Sequence, residues 1–209
     1  LDWIGLPQRL VVFGAGHDAQ PLVSIAGVLG WECTVVDARP AYARPERFPE
    51  ASAVLALPPS ADISGLAIDA ETAVVLMTHN FPQDELLLPQ ILQREPKYLG
   101  LLGPRSRTER LFRNIGRLPE MRKVFSPIGL DIGSQSPEVI ALAIVAEIQS
   151  VLSGRSGGFL RGRQETIHEP VREVGLQRSE MIGAAEHEVL EACAIRAEVK
   201  QADREEVHA

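Results

Sequence analysis

Gly14-Ala15-Gly16-His17-Asp18-Ala19 is the segment of this 209-residue sequence best suited to holding a phosphate. The pattern is GxGxxA. It directly follows the apolar run Leu10-Val-Val-Phe13 and directly precedes a stretch with helical spacing. Gly14 would allow a tight turn, Gly16 would let a phosphate approach the backbone, and Ala19 would allow close helix–strand packing. The helix N-terminus would then offer free N–H groups and a partial positive charge to a pyrophosphate. Asp37 ends the next apolar run, about twenty residues on, where an acid can accept from a ribose 2′-OH. Arg39, two residues later, leaves the choice between NAD and NADP open. The plainer alternative is that the small residues pack a βα turn and Asp37 caps a loop.

Three further segments could meet a ligand. Thr78-His79-Asn80 follows a fourth apolar run, and ligands in open α/β sheets bind beyond the carboxyl ends of the strands. His79 and His17 are therefore placed to face a ligand, or each bonds only a loop carbonyl. Gly103-Pro104-Arg105-Ser106-Arg107-Thr108 follows a fifth run and opens a basic helix, so Arg105 and Arg107 suit an anion such as phosphate. The alternative there is a solvated basic face continuing through Arg110 and Arg113. Asp131, within Gly129-Leu-Asp-Ile-Gly133, is a ligand contact or a turn residue.

Other chemistry has little support. There is no GxSxG elbow, no P-loop, and no HxH or HExxH spacing for a metal. Cys33 and Cys193 are far apart and outside any CxxC. Neither lies in a basic setting that would activate a thiol. No catalytic residue and no metal ligand is assigned.

The elements that must position these residues alternate. Runs at 10–13, 34–37, 53–57, 73–77 and 98–102 have the continuous apolar character of strands covered on both faces. Helical stripes are expected over 19–29, 83–93 and 105–117, with Pro89 marking a distortion or break. A further helix begins at Ser136-Pro137-Glu138, with Ser as N-cap and Pro at the first helical position, and runs to Leu152. Residues 39–49 hold three prolines and form a loop. Such alternation predicts an α/β domain with a parallel sheet over residues 1–155. Gly- and Arg-rich residues 154–162 read as a linker. Residues 179–200 read as an Ala- and Glu-rich helix, so 156–209 forms a linker and helical tail.

Composition sets outer limits. Apolar residues make up 45% and charged residues 23%, as in ordinary globular proteins, and the net charge is −7. A nucleic-acid binder would carry a basic surplus, so that partner is not expected. The longest strongly apolar stretch, 139–146, is too short to span a bilayer. The first residues hold no signal-type run, and the cysteine usage fits a reducing compartment, so a cytoplasmic protein is expected.

Taken jointly, Phe13-Gly-Ala-Gly-His17, Val36-Asp37-Ala-Arg-Pro40, Thr78-His79, Tyr98-Leu-Gly-Leu-Leu-Gly-Pro-Arg105, Pro127-Ile-Gly-Leu-Asp-Ile-Gly133 and Ser136-Pro137-Glu138 carry a resemblance. Over about residues 8–155 the sequence resembles the C-terminal domain of the XdhC/CoxI proteins, accessory factors of xanthine dehydrogenase and related molybdenum hydroxylases. The resemblance implies a Rossmann-like, doubly wound, mostly parallel sheet. It implies binding of molybdenum cofactor (molybdopterin), or a dinucleotide form of it, and delivery to an apo molybdenum hydroxylase such as xanthine dehydrogenase. Gly14, Gly16, His17, Asp37, His79, Arg105 and Asp131 fall on the family's motifs, and Thr78, Gly103 and Arg107 lie beside them. Family members usually begin with a smaller domain containing a cysteine. This sequence does not include it, so no sulfur or metal handling is assigned. Asp18, Gln20 and Pro21 depart from the small apolar residues expected at the start of the first helix. Two other readings are kept: an oxidoreductase using NAD(P), for which a substrate domain is missing, and a regulatory nucleotide-binding module. A homodimer is one expected assembly.

Overall fold

The computed structural model describes residues 7–116, 124–133 and 135–162. The chain divides into two compact units, 1–159 and 160–209. In the second, the described residues form one 3-10 turn, Leu160–Gly162. The expected tail helix over 179–200 lies outside the described residues.

The first unit is built on a six-stranded, wholly parallel sheet. Its strands are β1 (Arg9–Phe13), β2 (Glu32–Asp37), β3 (Ala53–Ala56), β4 (Thr72–Leu76), β5 (Tyr98–Leu101) and β6 (Val124–Phe125), in the order β3-β2-β1-β4-β5-β6. The helices are α1 (Ala19–Val28), α2 (Phe81–Leu92), α3 (Arg105–Asn114) and α4 (Pro137–Leu152). This is the doubly wound arrangement in which strand order reverses between β1 and β4. The expected α/β class and five of the six strands are found. The two-residue β6 was not anticipated, because so short a run carries no period. Leu57 and Met77 fall just beyond their strands.

Alternation along each strand feeds two separate cores. Leu10, Val12, Val35, Val75 and Tyr98 pack with Leu22, Ala26, Ile144 and Ile148 of α1 and α4. Val11, Phe13, Val74, Leu76 and Leu99 pack with Leu87, Ile91, Leu111 and Phe112 of α2 and α3. Pro89 does not break α2. The helix runs through it, and the inward face takes Leu87, Leu88 and Ile91 while Leu86 is half exposed. Asn80 caps α2 by accepting from the Gln83 N–H, and Ser136 caps α4 by accepting from Val139 N–H.

One partly buried acid ties the 127–133 loop to the core. Glu147 Oε2 accepts from the Tyr98 hydroxyl at 2.5 Å and from the Gly129 N–H at 3.0 Å. Tyr98 is fully buried and stacked on Phe125, and burial pushes its hydroxyl pKa up. Glu147→Ala would leave two donors unsatisfied and is expected to cost about 2 kcal/mol. Glu147→Gln keeps an acceptor oxygen and should lose less than half as much. Urea midpoints for the two variants check this, and equal losses would show that the charge, not the acceptor, matters.

Candidate functional site

The turn after β1 is fixed by close packing and by two side chains. Gly14 has φ +114°, and a Cβ there would stand 2.4 Å from the Met77 carbonyl oxygen. Only glycine lets the end of β1 lie so near the end of β4. The Ala15 N–H donates to Asp37 Oδ2 at 2.7 Å, and the Ala15 carbonyl accepts from the Arg47 guanidinium at 2.8 Å. Gly16 meets the Asp18 carboxylate instead, with Oδ1 lying 2.6 Å from a notional Cβ.

Asp37 is more fully engaged than a ribose acceptor would be. Besides the Ala15 N–H, it accepts from the Arg39 backbone N–H at 2.8 Å and from the Arg39 guanidinium at 2.9 and 2.8 Å. Four donors fill the acceptor positions of one carboxylate. Burial pushes its pKa up, but the Arg39 side chain and the two backbone N–H groups outweigh that and hold it below the usual carboxylate value. Asp37 therefore orders the turn and aims Arg39, whose guanidinium also stacks 3.8 Å from the Tyr42 ring centroid. Asp37 thus makes the contacts of a loop cap, with its acceptor positions taken by Ala15 and Arg39.

Across the sheet's reversal, His79 Nε2 lies 2.8 Å from Asp18 Oδ2. The contact joins the loop after β1 to the loop after β4. His79 holds φ +56°, an uncommon left-handed conformation for a non-glycine residue. Asp18 makes no side-chain cap on α1, so its carboxylate serves the histidine rather than the helix. His17 is exposed on the same turn.

Behind His79 sits an acid that sequence reasoning missed. Asp84 is 1% exposed and accepts from the Thr78 hydroxyl and from Arg107 Nη2, the latter at 2.6 Å. Burial raises its pKa above the usual carboxylate value, with Thr78 and Arg107 opposing. Arg107, expected in an anion subsite, is thus anchored to Asp84. The helical spacing that brings Asp84 inward was visible, but an acid on an apolar face gives no signal of its partner.

A cleft of about 450 Å³ opens at this divide, lined by Ala38, Arg39, Thr78, His79, Asn80, Phe81, Pro82 and Gln83. The structure brings Asp37, Thr78 and His79 to it or directly beneath it. Gly103, Arg105 and Asp131 are not among its lining residues. Gly103 turns the chain at φ +126°, and Arg105 pairs with Glu109 at 3.1 Å on the surface. Asp131 is exposed on the loop held by Glu147. No group of three His, Cys, Asp or Glu suited to a metal occurs among the described residues. Cys33 is buried, which pushes its thiol up to about 12 and leaves it inert. No helix among the described residues is long and apolar enough to cross a membrane.

The model of the XdhC Rossmann domain matches residues 10–148. This chain belongs to that family. Among curated proteins, the XdhC domain here is 37% identical over 140 residues to a probable xanthine dehydrogenase subunit of Bacillus subtilis, covering 67% of this chain and 42% of that one. It is 27% identical over 147 residues to the molybdenum cofactor insertion chaperone PaoD of Escherichia coli, covering 68% and 40%. Among solved structures it matches a xanthine dehydrogenase from Bacillus halodurans with a TM-score of 0.66 at 36% identity, covering 71% and 45%. The chain spans less than half the length of each of these relatives.

Proposed function

We propose that this XdhC domain binds molybdenum cofactor, or a nucleotide form of it, in the cleft at the β1/β4 divide, and assists its insertion into a molybdenum hydroxylase of the xanthine dehydrogenase type. The observation that carries this reading is the cleft itself, at the reversal of strand order where such sheets take ligands. Its volume is in the range of small-molecule sites. The names of the relatives supply the cofactor and the partner class.

The donor set fits a phosphate-bearing pterin. The Arg39 side chain is half exposed and oriented by Asp37 and Tyr42, which suits it to a phosphate. His79 adds a ring nitrogen, and the N-terminal turn of α2 opens on the same space. Gly14 and Asp37 would act as positioning residues, Thr78 lines the cleft, and Gly16 and His17 would reach the ligand from the turn after β1. Arg105, Gly103 and Asp131 would contact the partner or a longer arm of the ligand rather than its core. The domain would carry and present the cofactor in the cytoplasm without transforming it.

The filled acceptor positions of Asp37 weigh against NAD as the ligand, because they leave none for a ribose hydroxyl. A ligand present at about a hundred times its dissociation constant adds about 2.7 kcal/mol of stability. In a chain of this size that raises Tm by roughly 5–10 °C. We expect molybdopterin or its cytidine dinucleotide to give that shift and NAD and NADP to give none. A shift with NAD alone would favour the oxidoreductase reading, and a flat panel would remove the ligand site.

A further inference from the structure

In this acidic chain, positive charge collects on α3. The helix carries Arg105, Arg107, Arg110 and Arg113 against a single acid, Glu109, which pairs with Arg105. Arg107, Arg110 and Arg113 recur at intervals of three and so follow one side of the helix. With Phe81 and Ser106 they line a second cavity of about 400 Å³.

Nothing acidic lines that cavity. Arg107 is held by Asp84 from beneath. Arg110 lies 4.0 Å from the Phe81 ring centroid and Arg107 lies 5.4 Å from it, so one ring orients two guanidiniums. Glu85, the α2 acid nearest in sequence to Asp84, is engaged by the Asn114 amide at 2.5 Å. Arg110 and Arg113 form no ion pair among the described residues. Like charges gathered in a concavity repel, and a compact anion would relieve that repulsion. Planar guanidinium forks match the oxygens of a phosphate.

We propose that this pocket is a binding site for a phosphate-type anion, inorganic pyrophosphate or the phosphate of a monoester, held by Arg110 and Arg113 with Arg107 as an anchored third cation. It is distinct from the cleft at the β1/β4 divide and shares one wall with it, the Phe81 ring. The proposal stands whether or not that cleft takes the molybdenum cofactor.

Calorimetry on the full chain tests it, with inorganic pyrophosphate as one probe and a nucleoside 5′-monophosphate as the other. Tighter binding of the first marks a free-anion site, and tighter binding of the second marks a site for the phosphate of a larger ligand. Either result supports the proposal if the arginines carry it. Arg113→Ala, at an exposed residue, should weaken binding at least about tenfold, and Arg113→Lys should restore only part of it. Arg110→Ala should do the same, its fold followed by Tm because it also uncovers Phe81. Arg44→Ala, at an exposed arginine elsewhere, should leave the affinity unchanged. Absence of pyrophosphate and monophosphate binding overturns the proposal. So does an Arg44→Ala loss equal to that of Arg113→Ala, or binding of an acidic peptide through these arginines with neither phosphate probe bound.

Discussion

Replacing Arg107 by Ala is expected to cost about 3 kcal/mol, the low end for breaking a buried pair, since water reaches about a fifth of the Arg107 side chain. In a chain of this length that lowers Tm by roughly 10 °C. The cause is Asp84, left without its cation at a position 1% exposed. The loss should depend on pH in a definite direction. The folded-state pKa of Asp84 already lies above the unfolded value, so the folded chain binds its proton more tightly. Stability from this group therefore falls as pH rises through the interval above the ordinary carboxylate pKa. Without Arg107 the folded pKa climbs further, and the interval widens upward. The Tm gap between the two proteins should then be largest near neutrality and shrink toward about pH 4. Adding Asp84→Asn to Arg107→Ala should recover most of the stability, because the amide stays neutral and can still accept from Thr78. A gap that ignores pH, or a double variant no better than the single one, would place the role of Arg107 in its packing on Phe81.

That pair also marks where the sequence stops being legible. The strands could be located because parallel strands covered on both faces are continuous apolar runs, and Leu10–Phe13 and Ala73–Met77 are of that kind. Ser136-Pro137-Glu138 announced α4 through cap chemistry that needs no tertiary partner. The βα turn was visible too, since GxGxxA between a strand and a helix has few other uses. What each polar residue of the site does was not legible. Asp37 stands at the position of a ribose acceptor, yet it spends its oxygens on Ala15 and Arg39, and those distances exist only in the folded chain. Arg105 and Arg107 looked equivalent two residues apart, but helical rotation turns one to Glu109 on the surface and the other to Asp84 inside. Arg110, one turn further on, stays exposed as a basic face would have it, but nothing in the spacing showed that it lies over the Phe81 ring in a cavity wall. Strand β6 has two residues, too few for any period to register.

The two glycines of the turn should behave as opposites, and the contrast separates packing from binding. Gly14→Ala is expected to cost about 3–5 kcal/mol. A left-handed backbone forced on a non-glycine residue costs about 1–3 kcal/mol. Driving a methyl group to 2.4 Å from the Met77 carbonyl adds overpacking of about 1–3 kcal/mol. The obstacle is backbone at the end of a central strand, tied to β1 through the Met77 N–H and the Phe13 carbonyl, so it cannot swing aside. Gly16→Ala meets only Asp18 Oδ1, the far end of a side chain that can rotate. Its backbone needs no left-handed conformation, and the His79–Asp18 contact it would disturb is partly exposed, worth about 1 kcal/mol or less. Gly16→Ala should therefore leave Tm within about 3 °C of the parent. If a phosphate rests on this turn, the same methyl group intrudes on it, and affinity for a phosphate-bearing pterin should fall at least about tenfold in a protein that is otherwise intact. Thermal melts and calorimetry on both variants give the answer. A Gly16→Ala protein that binds as tightly as the parent would mean that the turn only packs β1 against β4, and the ligand would then have to be held by Arg39, His79 and the start of α2 without it.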